Sequence, residues 1–300
     1  MLAGSHDVAV TRRNSPTVKR RRLALTLRKL REQTGLSSTE AARRVDHDAS
    51  WLSRIEIADV RPHPNDVRAL LTLYGMTGEE AEAVIEVARQ AKQRGWWQQY
   101  SDVLPTWFTT YVGMESEASV LRIYECQMVH GLLQTEDYAR AVFHGAPVPM
   151  RDGEVERQVS LRMERQVILG SEDQPALRVI LDEGAVRRAV GGPKVLRGQI
   201  DRLLQESERR LIQIQLLPFG AGTGFDGSFT ILDFPPLPAP YPDAAEDRLV
   251  YIDTLTGALY LERPAEVAAY ATAFEQLCAV ALSPSETRDT LRRIGQELAV

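Results

Sequence analysis

Side chains able to do covalent or metal chemistry are present in this chain, but not in a working arrangement. Gly222-Thr223-Gly224-Phe225-Asp226-Gly227 matches G-x-G-x-x-G. Residues 228–234 after it alternate as a strand, where a dinucleotide site needs a helix N-terminus to face the pyrophosphate. A glycine-rich hairpin is the better reading. Gly191-Gly192-Pro193-Lys194 lacks the first glycine and the hydroxyl residue of a phosphate-cradling loop. It reads as a turn into a helix with proline at its first position. The five histidines, His6, His47, His63, His130 and His144, have no metal-ligand spacing. Cys126 and Cys278 each lie in an apolar, helix-like stretch and read as buried thiols of a reducing cytoplasm, not a disulfide framework. Asp182-Glu183 is the one carboxylate pair of note, but neighbours in a strand point to opposite faces and do not share a site. The residues give no catalytic set, metal site or cofactor cradle. An enzyme acting through Asp182 or Glu183 is the least favoured reading.

A more regular arrangement occupies residues 35–58. Ser37 or Ser38 can cap a short helix that buries Ala41, Ala42 and Val45. A turn around Asp46-His47 follows, and a second short helix is expected over 48–57, with Asp48 as its cap and Trp51, Leu52 and Ile55 as its apolar positions. Two short helices joined by a tight turn form the unit that lays its second helix in a DNA major groove. The small Ala41 and Ala42 allow close approach, and Trp51 is assigned to packing rather than to DNA.

Other helices must hold this pair. Leu23, Leu27 and Leu30 recur at helical spacing and end at Gly35, the residue type favoured just past a helix end. A fourth helix is expected over 66–74. A fifth is expected over 77–94, opened by Thr77 and Glu80 at capping-box spacing. Residues 1–22, with the run Lys19-Arg20-Arg21-Arg22, read as a flexible basic arm.

The net charge of −5 would argue against a nucleic-acid partner, but its distribution reverses that. Residues 1–75 hold 14 Lys/Arg against 8 Asp/Glu, and the remainder holds 22 against 33. A basic head is thus joined to an acidic body, and the head is the part a phosphate backbone attracts. No apolar run reaches the ~18 residues of a membrane span, and the N-terminus lacks the apolar stretch of a secretory signal. Beyond Gly95-Trp96-Trp97, helices are expected over 115–130, 135–143, 153–169, 193–207, 264–281 and 285–298, and strands over 177–181, 212–218, 229–234, 249–253 and 258–261. The proline-rich 235–240 reads as a surface loop.

The segment Leu27-Arg28-Lys29-Leu30-Arg31, Gly35-Leu36-Ser37, Ala41-Ala42, Ser53-Arg54-Ile55-Glu56 and Arg61-Pro62 resembles the Cro/CI-type (Xre) helix-turn-helix family over about 23–78. The resemblance implies a buried ion pair between Arg31 and Glu56. It places base contacts on Ala49, Ser50, Ser53 and Arg54, and phosphate contacts on Ser37, Ser38, Arg43 and Arg61. This chain departs from the family's frequent glutamines at Ser38 and at or beside Ala49, and from its glycine at Ala58. Since Ala49 cannot hydrogen-bond, readout must lean on Ser50, Ser53 and Arg54, with Arg54 the candidate for a guanine.

The body carries a second resemblance. Gly131-Leu132-Leu133-Gln134-Thr135 through Tyr138-Ala139-Arg140, Arg162-Met163-Glu164-Arg165-Gln166, Leu181-Asp182-Glu183 through Gly191-Gly192, and Gln213 through Phe219 are similar to segments of a large group of actinobacterial regulators. In that group an Xre-type domain precedes a C-terminal domain of unassigned biochemistry. The group commonly has proline where this chain has His130. Such regulators are similar to antitoxin-like proteins encoded beside a small partner protein and linked to development or antibiotic production.

The expected architecture is an all-α helix-turn-helix head of about five helices followed by an α+β body with a mixed sheet. Its divisions are a basic arm (1–22), a DNA-binding domain (23–78), a connecting helix (79–100), a sensing or partner-binding domain (101–284) and a C-terminal helix (285–300). The expected function is a cytoplasmic, homodimeric transcriptional regulator that binds a double-stranded operator and a small effector or partner protein. The alternative is an antitoxin that neutralises a small neighbour-encoded protein and autoregulates its operon. No cofactor and no membrane partner are expected.

Overall fold

The computed structural model describes residues 16–91, 95–151, 153–222, 225, 227–235 and 248–298. Helix α1 spans Pro16–Thr34 and begins well before the expected Leu23. Burial explains the difference. Val18 is fully buried in the body's core, and Arg21 and Arg22 are 8% exposed. Arg21 Nε donates to Glu262 at 2.8 Å, Arg22 donates to the Pro235 carbonyl, and both guanidinium groups lie over the Phe234 ring. Residues 16–22 are therefore a docked helix, not the expected arm, while 1–15 lie outside the described residues.

The head consists of α1, α2 (Ser38–Arg44), α3 (Trp51–Glu56), α4 (Pro64–Leu73) and α5 (Glu79–Gln90). Its core takes Leu23 and Leu27 from α1, Ala41 and Ala42 from α2, Leu52 and Ile55 from α3, and Val67, Leu70 and Leu71 from α4. Helix α3 is shorter than expected. The Trp51 N–H bonds the Asp48 carbonyl in a turn and Ser50 takes the capping position, so Asp48 is not the cap. Trp51 is partly buried and stacks on His47 at 3.7 Å. At the start of α5, Gly78 at φ +74° occupies the cap position with no side-chain cap, so Thr77 and Glu80 do not form the expected box. Ala81, Val84, Ile85 and Ala88 of α5 complete the head's core. The helix expected to connect two domains is thus part of the first.

Residues 106–298 form the body. Helix α6 (Thr106–Glu115) precedes β1 (Val120–Glu125), a strand inside the stretch where the sequence predicts a helix. The other strands, β2 (Ala176–Asp182), β3 (Ile212–Leu217), β4 (Phe229–Asp233), β5 (Arg248–Thr254) and β6 (Gly257–Leu261), lie close to where alternation places them. The sheet order is β3-β2-β1-β4-β5-β6, parallel from β3 to β1 and antiparallel from β1 to β6. One sheet face packs against helices α7 (Glu136–His144), α10 (Pro193–Glu206) and α12 (Pro284–Glu297), with Leu121, Ile123, Val179 and Ile214 meeting Leu196, Ile200, Leu291 and Ile294, while α8 (Glu154–Gln166) packs on α7. The other face meets α11 (Pro264–Val280) through Phe274 and Leu277. A short helix, α9 (Glu183–Arg187), follows β2. The expected separate C-terminal helix is α12, and it belongs to the body's core.

The head meets the body where α1 crosses α6. Gly113 permits this contact, because a Cβ there would lie 2.6 Å from Thr17 Oγ1. In the loop after α3, Ala58 holds a left-handed φ of +61°. An L side chain in that region is strained, and glycine relieves the strain at some cost in unfolded-chain entropy. Ala58→Gly is expected to raise the free energy of unfolding by about 0.5–1 kcal/mol in denaturant titration. A loss of stability would contradict this account of the loop.

Candidate functional sites

Helix α3 has two unlike flanks. Leu52 and Ile55 are buried at 0% and 1%, while Ser50, Ser53 and Arg54 are exposed, as is Ala49 in the preceding turn. Ser53 Oγ donates to the Ser50 carbonyl at 2.8 Å. Arg43, exposed near the end of α2, joins Arg54 on the head's surface. Neither makes an ion pair among the described residues, whereas Arg28 and Arg44 are engaged by Glu32 and Glu40. Ser37 caps α2 by accepting from the Glu40 N–H at 3.1 Å, and Ser38 is its half-buried first residue. Arg61 lies elsewhere. It lines a cavity of about 460 Å³ between head and body, together with Arg20, Glu56, Ile57 and Glu262.

The Arg31 and Glu56 side chains meet in a two-pronged contact at 2.6 and 2.8 Å, and Arg31 also donates to the Leu36 carbonyl at 2.8 Å. With side-chain exposures of 12% and 7%, the pair ties α1 to the end of α3 and to the start of the α2 region. The hydrogen bonds that Arg31 donates to Glu56 hold the guanidinium pKa above its ordinary value, against the opposing effect of burial.

A second site lies in the body. The chain leaves β1 toward β2 on one side, while β4 lies on the other. The end of β1 is thus a switch point of the kind where open sheets bind ligands. A cavity of about 520 Å³ opens there, within the size range of small-molecule sites. Two of the segments that resemble other regulators, 131–140 and 162–166, contribute to its lining. Leu132 and Leu133 are fully buried, and Thr135 caps α7 through the Tyr138 N–H. Gln134 donates to the Val129 carbonyl at 2.7 Å and accepts from Arg162 at 2.7 Å. Gln166 donates to the Gly131 and Gln134 carbonyls at 2.9 and 2.7 Å. Arg165 makes a two-pronged contact with Glu115 at 2.7 and 2.8 Å, with side-chain exposures of 4% and 3%. Gly131 leaves room for both guanidinium groups, since a Cβ there would lie 3.3 Å from Arg165 Nη1 and 3.6 Å from Arg162 Nε.

Residues 22–84 match a family described as a helix-turn-helix domain, and residues 108–293 match one described as a domain of unknown function, DUF5753. The chain belongs to the DUF5753 family. Neither the curated proteins nor the solved structures contain a match to it. The helix-turn-helix match covers α2, α3 and α4 and identifies the head as a DNA-binding domain, while the DUF5753 region contains the whole sheet and the cavity.

Sequence reading found some of this DUF5753 site and missed the rest. Arg162, Arg165 and Gln134 stand out as parts of segments, but Glu115, Glu125, Ser228, Tyr251 and Asp253 carry no motif. The available signal was weak, namely an acidic residue at the end of an apolar run in Glu115 and again in Glu125. His130, the departure from proline, accepts from the Leu132 N–H through Nδ1, and its Nε2 lies 3.3 Å from the Tyr111 hydroxyl. Asp182 and Glu183 serve the fold. Asp182 caps α9 through the Gly184 N–H, and Glu183 is held by Arg187 and the Phe219 N–H. Cys126 follows β1 and is not in a helix; Cys278 is in α11, and both are free thiols. Gly222 and Gly227 flank a segment whose Thr223, Gly224 and Asp226 lie outside the described residues, and a strand follows it. Residues 236–240 of the expected proline loop also lie outside them. Among the described residues there is no grouping able to hold a metal and no helix long and apolar enough to cross a membrane.

The cavity perturbs its titratable groups. Burial pushes Glu125 up to about 7, aided by the Asp253 charge and opposed by Ser228 and Arg162. Burial also raises Asp253. It lowers His130 to about 4, with Arg165 and Arg162 adding to the effect and Glu115 opposing it. Glu115 stays below its ordinary value, because Arg165 outweighs the upward push of burial.

The two large shifts have opposite signs in stability. His130 binds fewer protons folded than unfolded, so it favours the fold increasingly as pH rises from about 4 to 6.5. Glu125 binds more, so its contribution is lost as pH rises from about 4.5 to 7. The two nearly cancel in the parent chain. Glu125→Gln should unmask His130: relative to the parent, the variant should gain about 2–3 kcal/mol between pH 4.5 and 7.5 in urea titrations. A difference that stays flat over that range would place the Glu125 carboxyl in water.

Proposed function

We propose that this chain is a sequence-specific transcriptional regulator of the Cro/CI type, acting as a homodimer on a paired operator, with a body that senses a small effector. The observation that carries the reading is the divided α3, with Leu52 and Ile55 locked in the head's core and Ser50, Ser53 and Arg54 exposed, while Arg43 on α2 is exposed and makes no ion pair among the described residues. A helix held this way can enter a major groove with its N-terminal end leading, and its C-terminal end remains tied to α1 by Arg31 and Glu56. Arg54 is the base reader, supported by Ser50 and Ser53. Ala49 supplies apolar contact. Arg43 and the N-terminus of α2 at Ser37 and Ser38 hold phosphates. Arg61 holds no phosphate in this reading, since it lines the cavity between head and body.

The effector half of the proposal rests on the body's cavity. A concave site lined by buried polar groups fits a small molecule better than the exposed apolar groove that would suit a helix of a protein partner. Neutralising a small neighbour-encoded protein is the rival reading, and copurification of such a protein with the body would favour it.

Selection from random DNA followed by binding titration tests the proposal. Arg54→Ala is expected to weaken the selected site by about 1–3 kcal/mol and relax one base position, while leaving random DNA unaffected. Arg43→Ala is expected to weaken selected and random DNA alike and lower the salt slope by about 1. If Arg54→Ala binds both DNAs as the parent does, α3 is not the reading helix. Light scattering of the free chain at the monomer mass at all concentrations, together with a single half-site per bound chain, would remove the homodimer.

A further inference from the structure

The cavity at the end of β1 has a charge imbalance. Two arginines, Arg162 and Arg165, and two carboxylic acids, Glu125 and Asp253, line it. The charge of Arg165 is already taken up by Glu115 in a buried two-pronged pair. One cation, Arg162, therefore remains against two carboxyl groups, and neither carboxyl makes an ion pair within 4.0 Å among the described residues. Arg162 is hydrogen-bonded to Gln134 and stacked over Phe143 at 4.3 Å, so its charge reaches both carboxyls without an ion-pair contact to either among the described residues. Tyr251, 5% exposed, lines the same cavity, with its hydroxyl directed at the Asp253 carboxyl. Phe108, Tyr111 and Phe229 supply aromatic walls. Glu125 is partly exposed and Asp253 is exposed, so both are reachable from solvent through the opening.

We propose that this cavity binds a small organic cation, a protonated amine on an apolar frame, with Glu125 and Asp253 closing on the ammonium group and the Tyr251 hydroxyl completing its hydrogen bonds. One positive charge balances the site, and the aromatic rings accept the frame. An anion would instead add to an existing excess of negative charge. The groups facing Glu125 are Arg162 and Tyr138 from the helices, Asp253 from β5, and Ser228 just before β4. Because burial holds Glu125 half-protonated near neutrality, an arriving ammonium displaces that proton to the buffer, and affinity falls as pH drops below about 7. The proposal deepens the effector reading above, and only its regulatory consequence rests on that reading.

The test uses the full chain and three probes that share a frame but differ in charge: 2-phenylethylammonium, 2-phenylethanol and 3-phenylpropanoate. Titration calorimetry at pH 7 in two buffers of different ionisation heat should show the ammonium binding with proton release, and the other two failing to bind at the same concentration. Glu125→Gln and Asp253→Asn should each weaken the ammonium about tenfold. Glu125→Gln should also abolish the proton release, with thermal melts showing both variants folded. Binding of 3-phenylpropanoate in place of the ammonium would overturn the proposal in favour of an anion on Arg162. No ammonium binding, or binding that neither variant changes, would also overturn it. DNA titrations on the same samples separate the two readings. Loss of DNA binding with retained ammonium binding sinks the regulator and spares the site, while the reverse sinks the site alone.

Discussion

The structure of the body turns on one buried contact, the pair between Glu115 at the end of α6 and Arg165 on α8. Two charges removed from water at 3% and 4% exposure survive only because each satisfies the other. Removing one partner would strand the second, at a cost of about 3–5 kcal/mol. The pair also organises its neighbours. The Arg165 guanidinium lies over the Phe108 and Tyr111 rings, and Tyr111 in turn stacks on Tyr251 at 4.1 Å. A stack of aromatic rings thus runs from the ion pair to β5, forming a cavity wall whose hydrogen-bonding capacity is largely consumed on one side. Glu125 and Asp253, which make no ion pair among the described residues, line the same cavity.

The same logic of paired charge explains how the head is built. Arg31 and Glu56 do for α1 and α3 what Arg165 and Glu115 do for α8 and α6. A helix of only 6 residues is too short to hold its place by backbone hydrogen bonds. Leu52 and Ile55 anchor it from one flank, and Glu56 fixes its end. The outer flank is therefore free of structural duty, which is why polar and small residues can occupy it without loss of stability.

Much of this was legible in the sequence. The head's helices appear as periodic patterns because each has one buried and one solvated face, and five of the six described strands appear as short runs rich in aliphatic and β-branched residues. Strand β1 was not legible, for a physical reason. Val120-Leu121-Arg122-Ile123-Tyr124 is a short, mostly apolar run that periodicity alone cannot tell from a buried helix segment, and it lies next to the helical α6. The start of α1 was missed because a run of four basic residues reads as solvated. Here the aliphatic stems and guanidinium groups of Arg21 and Arg22 are instead buried against Glu262, Pro235 and Phe234, contacts more than 200 residues away in sequence. The outward flank of α3 could be read from spacing alone, being local. The body's cavity could not, since α6, β1, α8 and β5 each contribute charged or polar groups that no spacing rule connects.

These contacts form a continuous route between the two sites. Arg165 holds Glu115 on α6, and Gly113 of the same helix rests against Thr17 of α1. Helix α1 then continues without a break to Arg31, which grips Glu56 at the end of α3. A contiguous route is not itself a switch, because coupling requires an element with two arrangements. The cavity of about 460 Å³ separates the end of α3 from the body, and Arg20 and Arg61 both line it. Burial lowers the Arg20 pKa and the Arg61 charge lowers it further, and its buried Nε has no hydrogen-bond partner among the described residues. Two like charges facing a void oppose closure of the junction. The side that holds it shut is α1, through Val18, Arg21 and Arg22. Any rearrangement of the head about this junction must therefore pivot on the first turns of α1, the same turns that α6 touches and that the cavity's ion pair supports from behind.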